Sequence, residues 1–409
     1  MRVAVIGGGV AGTAAAWAAR RAFADVTAIF DHAGASSLYS GALDDAPWDE
    51  AFAETTLDSE LLAFAVALEA WSVGTRGARV ATHEGVVRPA RGRDSSLLDL
   101  SALAGARIGV AATRVDGWDA ALLARCLSGS PWSARTRTRF EAIAVEGIFD
   151  AGEASASAYD LAALHDDPPR LSRLAECLRR ARGAPDAWLL GPWLGAAPGG
   201  ADALSTALGK PCGEVTSPPG GPAGARFDAS RDALLANLGA QVRRERVQSI
   251  ESRGKRFLVA GSGGGLTAND AGFDAVVLAV GGVAGGGILL SDGRDEPAAL
   301  VGAAGSMPSG AFRASVRARV EIGFAGRVLD RASSERGADI GALGIEALER
   351  VGVLTEGAVA RGSVGIFVAG DAAADLPRTA LWAARSGITA ARAAVISTAG
   401  VDVRPRAVP

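Results

Sequence analysis

A chain of 409 residues that carries only three cysteines, three histidines and two tyrosines is short of the side chains most metal and thiol chemistry needs. Cys126, Cys177 and Cys212 lie far apart, with neither a CxxC pair nor iron-sulfur spacing, which argues against a disulfide framework. They read as three small core residues in a reducing compartment, and any iron-sulfur relay belongs to another chain. His32, His83 and His165 show no HExxH-like spacing, so a protein-held metal centre is not expected. Basic density is missing as well: 42 lysines and arginines face 45 acids, giving a net charge of −3, and the arginines are scattered among the acids. Nothing here suits a nucleic-acid partner. The longest apolar stretch, Ala275 to Leu290, is interrupted by glycines and too short for a bilayer span. The first apolar run is a strand broken by glycines rather than a signal peptide. A soluble, cytoplasmic chain is expected, peripheral at the inner membrane only through a partner.

What is abundant is glycine, with 54 residues, and its placement carries the argument. Val3 to Ile6 is a short apolar run, Gly7, Gly8, Gly9, Val10, Ala11 and Gly12 follow, and an alanine-rich stretch extends to Arg21. A second apolar run, Val26 to Phe30, ends in Asp31, nineteen residues after Gly12. That is the spacing of a dinucleotide-binding βαβ unit, with Gly7 for the turn, Gly9 for close approach to a pyrophosphate and Gly12 for helix-strand packing. Phosphates then sit at a helix N-terminus, where unpaired N–H groups and the helix dipole favour negative charge. Asp31 is placed to accept a hydrogen bond from a ribose hydroxyl and to repel a 2'-phosphate, which favours FAD or NAD over NADP.

Along the chain, Ala35 to Asp44 reads as a small-residue loop suited to a pyrophosphate and flavin ring. Asp58 to Trp71 has helical spacing, Arg79 to Val87 is strand-like, and Arg88 to Ser96 reads as a polar loop. Strands at Arg107 to Ala112, Phe140 to Glu146 and Ala187 to Leu190 alternate with helices at Trp118 to Leu127 and Pro169 to Arg182, an inserted α/β module. Ser217 to Gly224, SPPGGPAG, marks a hinge, followed by a helix at Arg231 to Leu238. Short strands are expected at Gln241 to Ile250, Phe257 to Ala260 and Leu266 to Thr267. Phe273 to Val280 is a buried strand running into Gly281 and Gly282. A last strand ends in Gly370 and Asp371, and the helix through Ser386, Gly387 and Ala394 points its N-terminus toward a flavin edge. The fold class is therefore α/β, a Rossmann-like FAD-binding domain (residues 1–45, 225–297 and 362–400) with an inserted substrate-side α/β region (46–224 and 298–361).

VAVIGGGVAG, SSLYSGALD, SPPGGPAG followed by Arg226, VLAVGGVAGGG and IFVAGD occur in an order that resembles the B-subunit family of anaerobic glycerol-3-phosphate dehydrogenase. That family lies within the FAD-binding class that includes fumarate-reductase-type flavoproteins, and the resemblance covers nearly the whole chain. It implies an electron-relaying flavoprotein, with a catalytic flavoprotein subunit and a membrane-anchored iron-sulfur subunit as partners. It also implies FMN, although the dinucleotide fingerprint suits FAD better. Carried onto this chain, the flavin contacts are Gly7, Gly9, Gly12, Asp31, Ser37, Ser40, Gly41, Gly281, Gly282, Gly370, Asp371 and Gly387. The pattern departs from the family after the last strand, where Asp375 to Ala383, including Arg378 and Trp382, replaces a glycine-rich stretch.

Hydride transfer to a flavin needs a base near the substrate and a cationic clamp if the substrate is anionic. His83, Arg226, Arg378 and Arg385 are the candidates, each also readable as a solvated or paired side chain. An autonomous flavin oxidoreductase on a small substrate, and a non-catalytic FAD-binding or interaction module, remain as alternatives to the relay.

Overall fold

The computed structural model describes residues 1–44, 57–262, 272–282, 284–291, 313–316, 319–320, 352–353, 355–361, 363–374 and 376–398. The strand expected at Leu266 to Thr267, most of Ala298 to Arg361, and Asp375 lie outside them. The chain divides into two compact units, one of Met1–Ser36, Asp45–Pro47 and Leu234–Pro409, the other of Ser37–Asp44 and Trp48–Ala233.

The first unit opens with β1 (Arg2–Ile6), α1 (Val10–Arg21) and β2 (Asp25–Ile29). Val3 to Ile6 and Val10 to Ala19 are buried without interruption. A strand apolar on both faces and a helix apolar all round belong in the interior of a layered α/β structure.

In the second unit β3 (Ala42–Leu43), α2 (Ser59–Leu68), β4 (Trp71–Ala81) and β5 (Val87–Asp94) come first, the strands pairing antiparallel in the order β3-β5-β4. Asp58 caps α2 by accepting from the Glu60 N–H at 3.0 Å. The expected polar loop at Arg88 to Ser96 is instead mostly strand, because its charges find partners close by. Arg88 forks onto Asp44 at 3.1 and 3.0 Å. Arg93 Nη1 donates to the carbonyls of Asp94, Ser95 and Leu97. Composition alone reads such arginines as solvated; a carboxylate for Arg88 and nearby main-chain carbonyls for Arg93 make them compatible with a ladder.

The same unit continues through β6 (Arg107–Ala112), α3 (Ala120–Ser128), α4 (Pro131–Thr136), β7 (Arg139–Ala144), α5 (Ala158–Leu164), α6 (Pro168–Arg180), β8 (Ala187–Leu190), α7 (Gly200–Leu208) and β9 (Cys212–Glu214). These four strands form a parallel sheet in the order β7-β6-β8-β9. Its two faces fill separate cores, Ile108, Val110, Ala187 and Leu189 on one side and Ala111, Ile143, Trp188 and Leu190 on the other. Of the cysteines only Cys212 is buried, its thiol pushed up to about 12 by burial. Cys126 is exposed, against the core reading, because α3 buries Leu123, Ala124 and Leu127 and turns Cys126 away from them.

The helix expected at Arg231 to Leu238 begins earlier, as α8 (Pro222–Asn237), with Pro222 at its start, where the missing N–H costs nothing. Of the expected hinge Ser217 to Gly224, the residues from Pro222 on are therefore helical. Within α8 the chain passes back to the first unit. There follow β10 (Gln241–Arg243), β11 (Val247–Arg253), β12 (Arg256–Gly261), β13 (Ala275–Leu278), β14 (Ile288–Ser291), β15 (Arg313–Val316), β16 (Arg319–Val320), β17 (Thr355–Glu356), β18 (Val359–Ala360), β19 (Ile366–Val368) and α9 (Ala380–Thr398). The main sheet runs β10-β2-β1-β13-β19-β18-β17, parallel from β10 to β19 and antiparallel at β18 and β17. Counted in chain order, the five parallel strands stand as 3-2-1-4-5, the Rossmann arrangement. α9 crosses α1 closely at Gly387, where a β-carbon would overlap the Ala11 carbonyl.

Candidate functional site

Parallel pairing sets four strand ends in a row. Ile6 pairs with Ile29 and with Leu278, and Leu278 pairs with Val368. The segments leaving those ends carry Asp31 after β2, the glycine fingerprint after β1, Gly281 and Gly282 after β13, and Gly370 and Asp371 after β19. The row lies where an α/β sheet presents its ligand crevice, outside the carboxyl ends of strands that wind in opposite directions from β1.

Two of the fingerprint glycines are required by the backbone itself. Gly7 has φ +124°, and a β-carbon there would overlap the Ala279 carbonyl. A β-carbon on Gly12 would overlap the Gly7 carbonyl, so the turn and the first turn of α1 cannot close without it. Gly9 is the N-cap of α1, which has no acidic residue in its first turn, and Val10 N donates to Ser36 Oγ at 3.0 Å. Ser36 is thus the hydroxyl that meets the helix N-terminus. The arrangement suits an anion, since the helix dipole is uncompensated by a carboxylate at that end.

At the other end of the row, Gly370 N donates to Ser386 Oγ at 2.8 Å, and Ser386 Oγ donates to Ala383 O at 2.9 Å. Ser386 of α9 therefore anchors the turn that presents Asp371. Burial raises the Asp371 carboxyl above the usual carboxylate range, opposed by the Arg378 guanidinium 3.9 Å away. A carboxylate in this position gains from a hydroxyl donor. Gly282 lies against Asp371, a β-carbon there falling 2.9 Å from Asp371 Cβ. Gly387 serves the helix crossing described above, seven residues into α9, and not the helix N-terminus. Arg378 Nη1 donates to Ala373 O at 3.0 Å, and the Arg385 guanidinium lies 5.0 Å from the Trp382 ring centroid.

An elongated dinucleotide fits these residues: an anion-ready helix start, turns of bare backbone, and a carboxyl at each end of the row. Asp31 Oδ2 accepts from Arg246 Nε at 3.0 Å, and His32 Nε2 is 3.5 Å from Asp31 Oδ1.

The remaining expected site residues belong to the second unit. Ser40 O accepts from Ser217 N and Gly41 O from Asp94 N, while Ser37 stands beside Gly224. His83 Nδ1 is 3.3 Å from Thr216 Oγ1, and its Nε2 is 3.1 Å from Glu84 Oε1. Arg226 is fully buried: Nε donates to Asp94 Oδ1 at 2.9 Å, Nη1 to Gly195 O at 2.6 Å and Nη2 to Glu214 Oε2 at 2.7 Å. With all three nitrogens engaged inside the unit, Arg226 is an interior structural cation and not a substrate clamp. Tyr39 Oη donates to Asp94 Oδ2 at 2.9 Å, and the Leu194 N–H donates to Glu214 Oε1.

Two buried carboxylates share one guanidinium in this cluster, and burial pushes the Glu214 carboxyl up to about 7, against the pull of Arg226. Burial also raises Tyr39 well above its ordinary range, with Asp94 adding to the effect. The linkage sign follows: between its ordinary 4.5 and about 7, Glu214 holds a proton in the folded chain that it releases on unfolding. Stability is therefore full below that window and is lost as pH rises through it. Urea unfolding followed by the fluorescence of buried Trp188 and Trp193 is expected to lose on the order of 3 kcal/mol across the window. Glu214→Gln should flatten that slope.

Among the described residues no helix is long and apolar enough to cross a membrane, and no three His, Cys, Asp or Glu side chains are placed to hold a metal ion. The fold and the row of strand ends define a Rossmann-type α/β protein with its candidate site at the carboxyl ends of the parallel strands. No protein-family model matches the chain, and no curated protein does. Solved structures similar to it include iminodiacetate oxidase from Chelativorans sp. BNC1, at 14% identity over 100% of this chain and 97% of that one, TM-score 0.30. Glycine oxidase from Geobacillus kaustophilus is similar at 15% identity over 100% and 96%, TM-score 0.33. A thioredoxin reductase from Gloeobacter violaceus is similar at 13% identity over 100% and 97%, TM-score 0.22.

Proposed function

We propose that this chain is an FAD-dependent oxidoreductase that holds the cofactor along the carboxyl ends of β2, β1, β13 and β19. The observation that carries this reading is the alignment of Asp31, Gly7 to Gly12, Gly281 and Gly282, and Asp371 in one row by strand pairing. The α1 N-terminus would hold the pyrophosphate, with Gly281 and Gly282 alongside. Asp31 would take a ribose hydroxyl and Asp371 a ribityl hydroxyl. When bound, the flavin supplies the two-electron chemistry; the chain supplies orientation and a fixed field. Ser386 holds the Gly370 turn, and the α9 N-terminus stabilises negative charge near it.

Loss of the Asp371 carboxyl tests the assignment without removing a packing element. Asp371→Ala is expected to weaken FAD binding by about 10- to 100-fold, the range of one or two charge-assisted hydrogen bonds. Fluorescence titration of FAD measures this, with circular dichroism to confirm the fold. The visible spectrum of the purified protein tests the reading itself: oxidised flavin bands, with FAD released on denaturation, support it. A colourless protein that takes up no added FAD would sink it.

The order of motifs supports a finer reading, a relay flavoprotein resembling the B-subunit family of anaerobic glycerol-3-phosphate dehydrogenase. Its partners would be a catalytic flavoprotein subunit and a membrane-anchored iron-sulfur subunit. Under that reading glycerol 3-phosphate alone leaves this chain's flavin oxidised, and reduction requires the catalytic partner. Direct bleaching by glycerol 3-phosphate would replace the relay with an autonomous enzyme.

A further inference from the structure

The adenosine end of the row is more basic than its acid suggests. β10 pairs in parallel with β2, Arg243 opposite Ile29, and Phe30 N donates to Arg243 O at 3.0 Å. The segment leaving β10, with Arg243, Arg244 and Arg246 in four positions, therefore emerges beside Asp31. Arg246 Nε binds Asp31 Oδ2 at 3.0 Å, with side-chain exposures of 52% and 31%. The Arg244 guanidinium lies 4.5 Å from the Phe30 ring centroid, and Phe30 rests against Gly8 of the fingerprint. Glu245, the one acid in that stretch, places its carboxylate against Gly261 of β12.

An acid alone at this position accepts a ribose 2'-hydroxyl and repels a 2'-phosphate, whereas an arginine accommodates the phosphate. Here the acid is already matched by a cation. An exposed ion pair is worth little, so a phosphate takes the Arg246 guanidinium from Asp31 at small cost, and the charge-assisted arginine–phosphate contact offsets the repulsion from the freed carboxylate. We propose that Arg246 is a specificity-determining residue, and that the adenosine end accepts a nucleotide bearing a 2'-phosphate. This rests on the nucleotide reading given above and extends it beyond FAD.

The test is competition with FAD uptake by the full-length chain, using ADP-ribose and 2'-phospho-ADP-ribose. The phosphorylated probe is expected to compete at least as well as the plain one. Arg246→Ala should then shift the ratio of the two affinities against the phosphorylated probe by about tenfold or more. Because the ratio is read, a general loss of binding in the variant does not mimic the effect. A wild-type chain that binds ADP-ribose and rejects its 2'-phosphate, with the ratio unmoved in Arg246→Ala, would overturn the inference and leave the nucleotide site standing. If the chain takes up no FAD, the nucleotide reading falls, and this inference with it; FAD uptake that neither probe competes with overturns this inference alone.

Discussion

Replacing Arg226 with alanine is expected to destabilise the second unit by about 3–5 kcal/mol, the range for removing one partner of a buried ion pair. Asp94 and Glu214 would be left at 0% exposure without their cation, and the Gly195 carbonyl would lose its donor. At about 2–4 °C per kcal/mol for a unit of this size, thermal unfolding should shift down by roughly 10 °C. Circular dichroism melts measure it. Acid should soften the loss, since protonating Glu214 relieves part of the stranded charge. The triple change Arg226→Met, Asp94→Asn, Glu214→Gln should recover most of the stability, because apolar or neutral replacements of a whole buried ion cluster are often tolerated. Equal destabilisation of the single and triple variants would show that packing around Arg226, rather than charge, is what matters.

Gly12→Val should abolish cofactor retention, with FAD affinity lower by at least about 100-fold, the loss of the helix start as an anion site. Its β-carbon would overlap the Gly7 carbonyl, so the turn must open and the α1 N-terminus must move. The change lies inside the site, so FAD fluorescence titration reads it directly. Unaltered affinity would take the pyrophosphate off α1 altogether.

The N-terminal fingerprint is legible in the sequence because its physics is local. A turn that needs φ +124° at Gly7 and a helix start that tolerates no side chain at Gly12 both fall within one short segment. The buried strand before Gly281 and the Gly370–Asp371 turn are legible for similar reasons, each an apolar run stopped by glycine. Capping of α1 by Ser36 and anchoring of Gly370 by Ser386 are not, since any serine nearby has the same local signature. Least legible is the pairing of distant charges. Arg226 and Asp94 are 132 positions apart, and Arg246 and Asp31 are 215 apart. Composition describes such arginines as solvated surface; only the fold brings a carboxylate to each. β5 escapes a sequence reading in part on the same ground, Arg88 being paired with Asp44 44 positions away.

Native mass spectrometry of the purified chain tests the central claim most directly. The result expected is one added mass equal to FAD per chain, retained by the wild type and lost in Gly12→Val. A bare chain mass after incubation with excess FAD, in a protein shown to be folded, would contradict it.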